Sequence, residues 1–305
     1  MSKYILKRLL IALLTVFVVA TLTFFLMNAV PGGPYEAEKS ISPTAKKALE
    51  AKFGLDQPIL TQYVTYMKNI LHGDFGPSLK QRGREVIDII LKKFPVSASV
   101  GGIAVLISLL VGIPLGCIAA LRRGTAWDNL IIVLATIGIA VPSFVTCALL
   151  QHYFAVELGW FKATGLDTAS SYVLPVFALA FYPTAYITRL MRSSMLDVMG
   201  QDYMRSARAK GVTPFSNLFK HALRNAILPI VTYVGPMMAY TLTGSFVIEK
   251  VFNIPGLGRE FVSSITNRDY MMIMGTTIFL ATLMVVINLL VDIVYKIIDP
   301  RITLK

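Results

Sequence analysis

The sequence predicts an all-α polytopic membrane protein: six transmembrane helices, with a small helical extracytoplasmic segment after the first span. Three observations lead there. Aliphatic and aromatic residues make up 55% of the 305 positions and the mean hydropathy is +0.65, far from the balance of a soluble globular domain. Runs of about 20 apolar residues follow one another, each long enough to cross a bilayer as a helix. The interiors of those runs hold almost no ionisable groups, so the 29 basic and 17 acidic residues gather in the connecting segments. A net charge of +12 on a soluble protein would raise nucleic acid as a partner. On a membrane protein it reads as positive residues retained on one side, and no nucleic acid is expected.

Residues 1–30 read as an N-terminal transmembrane helix. Lys3, Lys7 and Arg8 precede the apolar run 9–30, which is longer than a signal-peptide core and ends in Val30-Pro31-Gly32-Gly33 without a small-residue cleavage site. Residues 31–95 form the extracytoplasmic segment. There Ser42 and Pro43 supply a cap and a first helical residue, Gly54 stops that helix, and Pro58 opens another whose Ile59, Leu60, Tyr63, Val64, Met67, Ile70 and Leu71 follow helical periodicity. A third stretch, 86–94, carries Ile87, Ile90, Leu91 and Phe94 on one side and is expected to lie at the membrane surface as a separate helix.

Residues 96–305 hold the remaining five spans, at 97–121, 129–156, 172–193, 225–248 and 271–295, with a basic loop at 197–224. Pro114, Pro142, Pro175, Pro183 and Pro236 fall in or near them, so kinked helices are expected. Gly101, Gly102, Gly112 and Gly116 allow close helix packing. Cys117 and Cys147 sit in apolar segments at no disulfide or metal spacing and read as small core residues. His152 is the clearest polar exception inside a span; a hydrogen-bonded packing histidine is expected there rather than a proton relay.

Six spans put both termini on one side. With the termini inside, the cytoplasmic segments hold 15 basic and five acidic residues against 14 basic and 12 acidic outside. The positive-inside rule therefore makes both termini and the 197–224 loop cytoplasmic.

Within that region, Gly200 to Pro229 is punctuated as two helices meeting at a corner. The first would end near Lys210 with Gly211 left-handed beyond it. Thr213 can cap the second, with Pro214 at its first helical position. Helical geometry puts Tyr203, Met204, Ala207 and Gly211 on one face, with Arg205 and Arg208 elsewhere; two of those four are small enough for close seating in another protein. No nucleophile–base pair, metal-ligand cluster or cofactor fingerprint stands out, and no Gly-Lys dipeptide offers a phosphate cradle. Catalytic, metal and cofactor sites are therefore expected to be absent, and uphill transport would need energy from another chain.

Gly211, nine intervening residues, then His221-Ala222-Leu223 and Ile227-Leu228-Pro229, resembles the cytoplasmic coupling loop of binding-protein-dependent ABC importer permeases. The general loop begins Glu-Ala-Ala, where this chain has Arg205-Ser206-Ala207. That version, running on through Arg208-Ala209-Lys210-Gly211, is similar to the oligopeptide/dipeptide and nickel branch. Gly73-Asp74-Phe75-Gly76-Pro77-Ser78, Glu249 with Phe252, Pro255, Gly256 and Gly258, Asn267-Arg268-Asp269-Tyr270, and Asp299-Pro300 extend the resemblance over nearly the whole chain, and the long first outer segment resembles the B-type subunit.

The resemblance implies a MetI-like ABC importer permease fold in a bacterial plasma membrane and a non-catalytic subunit of a peptide importer. It implies as partners a second, C-type permease subunit, two cytoplasmic ATPase subunits, an extracytoplasmic peptide-binding protein and membrane lipid. It also implies an ATPase-coupling surface at Tyr203, Arg205, Ala207, Arg208, Ala209, Lys210, Gly211, His221 and Ala222. A nickel or other small-solute importer of the same family stays open. So do, from other classes, a self-contained channel, a secondary transporter, an intramembrane enzyme and a structural anchor; spans without polar clusters and a docking-type loop weigh against these.

Overall fold

The computed structural model describes residues 2–35 and 42–298. Among these no strand forms; the one β-bridge pairs Pro77 with Glu85. A first helix α1 (Ser2–Ala29) is followed by α2 (Pro43–Lys52), which Gly54 stops at φ +66°, and by α3 (Ile59–Leu71), which opens directly after Pro58. These are the punctuation marks expected from the sequence. The next element departs from expectation. The stretch 86–94 is not a separate surface helix but the start of α4 (Val86–Leu121), 36 residues long and running on through Pro95. The side packed on protein is not the one expected: Val86, Ile89 and Ile90 are buried with Leu257 and Met272, while Leu91 stays 58% exposed.

The third span is broken rather than kinked. α5 (Ala126–Ala140) and α6 (Ser143–Leu150, continued by a π-helical stretch to Glu157) meet at Val141-Pro142 with a bend of 103°. A 3₁₀ turn (Ala169–Tyr172), closed by a capping box between Thr168 and Ser171, leads into α7 (Val173–Met199), which accommodates Pro183 in its interior. Then come α8 (Asp202–Ala209), α9 (Pro214–Ser216), a π-helical turn (Asn217–Ala222) and α10 (Leu223–Ala226). The last of these bends by 49° into α11 (Leu228–Leu242) and α12 (Phe246–Val251). α13 (Leu257–Asn267) and α14 (Tyr270–Ile298) complete the chain. Among the described residues four helices are long and apolar enough to cross a membrane, and six when each bent pair counts as one span.

The chain divides into two compact units. One comprises residues up to 96 with 256–286. Its core joins Ala20 and Phe24 of α1 to Tyr66 of α3 and to Tyr270, Met274 and Ile278 of α14, with Tyr63 hydrogen-bonded to Thr21 at 2.9 Å. Leu60, Val64 and Leu71 on the other side of α3 stay exposed. The second unit comprises, of the described residues, 97–255 and 287–298. There α4 lies against α7 and α11 at glycine contacts. A side chain at Gly101 would overlap the Thr241 carbonyl, and a Cβ at Gly116 would stand 2.6 Å from the Thr188 oxygen. Gly102, expected in the same role, meets only ordinary contact. Cys147 is buried and Cys117 packs at the margin of the core; both thiols are free. His152 departs from the expected packing role: its side chain is 58% exposed, 3.7 Å from Glu157.

Candidate functional site

The corner between α7 and α11 is built by local rules. Ser206 and Ala207 carbonyls take the amides of Lys210 and Val212, at 3.1 and 3.2 Å, which closes α8. Gly211 follows at φ +78°, a conformation that costs a side-chain-bearing residue about 1–2 kcal/mol. The Thr213 hydroxyl then accepts from the Ser216 amide at 3.3 Å and its carbonyl from Asn217 at 2.9 Å, so Thr213 caps the next helix with Pro214 in the first position. Both predicted helix ends are therefore where the sequence put them.

The face of α8 is divided. Met204 is turned into the second unit's core beside Met191, Met195, Ala222 and Ala226, and is 2% exposed. Tyr203 stays half-exposed, and its hydroxyl accepts from Asn225 Nδ2 at 2.9 Å; the same amide donates to the His221 carbonyl at 3.0 Å. Ala207 and His221 are half-buried, whereas Arg205, Ala209, Lys210 and Gly211 are exposed. Arg205 makes a surface pair with Asp202 at 3.8 Å. Ala222, counted with the coupling surface from the sequence, is fully buried and belongs to the packing beneath it. The side chains of Arg208 and Asp292, and the Asp299-Pro300 motif, lie outside the described residues.

Two features of the corner escaped the sequence reading. Phe215 and Phe219, one turn apart with ring centroids 4.5 Å from each other, are 72% and 50% exposed on the second helix. Aromatics at i and i+4 beside a capping proline were the available signal. The other is an ion pair at the end of the unit that carries the corner. Arg192, on the last turns of α7, donates to both Asp128 oxygens at 2.6 and 2.8 Å, and the Gly124 amide adds a third bond at 2.9 Å. It joins residues 64 apart in sequence, which no periodicity displays.

The outlying motifs are structural. In the first unit, Asp269 is buried and accepts from the Ser78 hydroxyl and from the amides of Leu79 and Met272, at 3.1 and 3.2 Å. The Gly73–Ser78 and Asn267–Tyr270 motifs thus meet at one carboxylate. In the second, buried Glu249 accepts from Ser97 at 2.6 Å, against Gly244 at φ +91°, where a side chain would displace the carboxylate.

Two family descriptions match the chain. Residues 112–304 match the model of the binding-protein-dependent transport system inner membrane component, and residues 1–101 match the N-terminal model of the same membrane component. The chain belongs to this permease family. It is a multi-pass inner-membrane protein, and its likeness to individual members runs end to end. It is 46% identical to the dipeptide transport system permease protein DppB of Bacillus subtilis, over 100% of this chain and 99% of that protein. It is 42% identical to the oligopeptide transport system permease protein OppB of Haemophilus influenzae, over 99% of each. Two crystal forms of the inward-facing methionine transporter MetNI are similar in fold. They give TM-scores of 0.55 and 0.57 at 16% and 15% identity, over 70% and 69% of this permease and 97% and 96% of the solved chains.

Proposed function

We propose that this permease is a membrane subunit of an ATP-driven peptide importer. It forms half of the translocation pathway with a second permease and couples to two cytoplasmic ATPases through the 200–229 corner, while an extracytoplasmic binding protein delivers the peptide. Both termini and the corner are cytoplasmic in this reading, which the charge asymmetry supports. What carries the reading is end-to-end similarity to dipeptide and oligopeptide permeases joined to an exposed, rigidly capped corner. The coupling surface is Tyr203, Arg205, Ala207, Arg208, Ala209, Lys210, Gly211 and His221, with Phe215 and Phe219 beside them and Ala222 in support.

The physical case is one of stiffness. α8 follows α7 after only Gly200 and Gln201, and Met204 is buried in the same core as Met191 and Met195. A displacement imposed on α8 by a closing ATPase therefore reaches α7 as a rigid-body movement instead of being lost in a loop. ATP hydrolysis itself belongs to the partners.

The test is reconstitution of the complete importer in proteoliposomes and ATP-dependent uptake of labelled di- and tripeptides, with nickel ions as the competing solute. Peptide accumulation that needs ATP and the binding protein is expected. Nickel accumulation without peptide uptake would overturn the substrate class, and transport by this permease alone would overturn the coupling.

A further inference from the structure

Within the second unit, the break at Val141-Pro142 is one wall of an open-sided cavity of about 540 Å³, whose other walls are α7, α11 and the start of α12. Tyr182, Tyr233 and Tyr240 line it among otherwise apolar residues, Ser143 and Ser245 apart. Tyr186, one turn from Tyr182 on α7 with ring centroids 6.3 Å apart, lines the adjoining hollow. α11 supplies Tyr233 and Tyr240, and the rings of Tyr186 and Tyr233 meet at 4.4 Å, so the two pairs make one continuous surface. Tyr182, Tyr186 and Tyr240 are 46%, 36% and 62% exposed. Among the described residues no hydrogen bond engages any of the four hydroxyls. No ionisable Asp, Glu or Lys lines the cavity; the adjoining hollow at Tyr182 and Tyr186 adds Arg189.

This surface is unsuited to lipid. Elsewhere the exposed faces of the spans are Leu, Ile and Val, such as Leu106, Leu110, Leu130 and Leu134. A hydroxyl without a partner is costly in hydrocarbon. The broken span makes the same point. Pro142 has no N–H to give the Gly138 carbonyl, and irregular backbone at membrane depth is tolerated only against protein or a water-filled cavity.

We infer that Tyr182, Tyr186, Tyr233 and Tyr240 are this subunit's share of the track along which the backbone of an extended peptide passes. The inference rests on the peptide-import reading and deepens it. A phenol hydroxyl both donates and accepts, so it can satisfy either group of a passing peptide bond whatever the side chains. Its ring offers an apolar face at the same time. The 6.3 Å between the Tyr182 and Tyr186 rings is close to the two-residue repeat of an extended chain, about 6.7 Å. The cavity at Tyr182, Tyr233 and Tyr240 carries no charged side chain to trap a peptide charge; Arg189 stands only in the adjoining hollow.

The test uses the complete importer in proteoliposomes and three tripeptides: trialanine, and versions with Glu or Lys in the middle. Tyr240→Asp is expected to shift the Lys-peptide to Glu-peptide uptake ratio at least tenfold towards Lys, and Tyr240→Lys to shift it as far the other way. A ratio does not depend on how much importer folds. In a chain carrying Cys117→Ser and Cys147→Ser, Tyr186→Cys and Tyr240→Cys are expected to react with a membrane-impermeant thiol reagent, and transported peptide with ATP to slow that reaction severalfold. Unchanged ratios in both charge variants, or cysteines whose labelling is absent or indifferent to peptide, while the unsubstituted importer takes up all three peptides, would overturn the track and leave peptide import standing. An unsubstituted importer that takes up none of them would overturn both.

Discussion

Breaking the Asp128–Arg192 pair puts the fixed geometry beneath the corner to a direct test. Asp128 is 2% exposed and accepts three charge-assisted or backbone bonds, whereas the Arg192 side chain keeps 27% of its surface. Removing one member of a fully buried pair costs about 3–5 kcal/mol. Partial hydration of the stranded guanidinium discounts this, so Asp128→Ala should cost about 2–3 kcal/mol. Arg192→Ala leaves a carboxylate that still holds the Gly124 amide but loses both short bonds, and the cost should be similar. Arg192→Lys keeps the charge and gives up the planar fork, so it should restore less than half of the loss. The assay is a double-mutant cycle on thermal unfolding of the purified permease pair in detergent. The coupling energy between the two alanine variants should exceed about 1.5 kcal/mol. Additivity within about 0.5 kcal/mol, or a lysine variant as stable as the original, would mean that the geometry is a screened surface contact and that the argument from burial is wrong.

Gly211→Val should lower permease-stimulated ATP hydrolysis and uptake while leaving assembly of the two permeases intact. A Cβ at that position meets nothing within 4 Å, so the roughly 1–2 kcal/mol is backbone strain alone, and Gly211→Asn should do less harm. Ala207→Leu should reduce uptake by overpacking the docking face, at about 1–3 kcal/mol, and Arg205→Ala should do little, since its pair with Asp202 is exposed; normal transport by the first and none by the second would put the docking face on the other side of α8. Asp269→Ala should destabilise the first unit by at least about 2 kcal/mol, because the Ser78 hydroxyl and two amides lose one buried acceptor; a melting curve unchanged from the original refutes that role.

What the sequence made legible was whatever a short window encodes. Gly54, Pro58, Gly211 and Thr213 act through their own backbone or nearest neighbours, and each marks the helix boundary expected of it. The apolar runs gave six spans for the same reason. Residues whose meaning depends on distant partners were opaque. Helical periodicity grouped Met204 with Tyr203 and Ala207, but only the tertiary contact with Met191 and Met195 says that Met204 faces inward. Pro142 promised distortion, yet a kink as at Pro183 and a break of 103° begin from the same residue type. The stretch 86–94 has the pattern of a surface helix, and its Val86, Ile89 and Ile90 are buried because Leu257 and Met272 arrive from the far end of the chain.

The distribution of charge explains why such a chain needs an outside drive and how it can respond to one. A transporter that couples to protons or ions must keep ionisable groups within its spans, where each is expensive. Among the described residues the fully buried carboxylates, Asp128, Glu249 and Asp269, stand at helix starts or in short connecting elements. They fix helices to one another. On the proposed reading a peptide passes a cavity lined by no Asp, Glu, Lys, Arg or His, with Arg189 in the adjoining hollow. Work must therefore enter as displacement. On the proposed reading it enters at α8, where the Tyr203–Asn225 bond and the buried Met204 tie the corner to both flanking spans, and it leaves where α7 and α11 face each other across that cavity. The same two helices carry the corner at one end and the tyrosines along their length. Such an arrangement can turn closure of a partner on one side into a change in the width of the track.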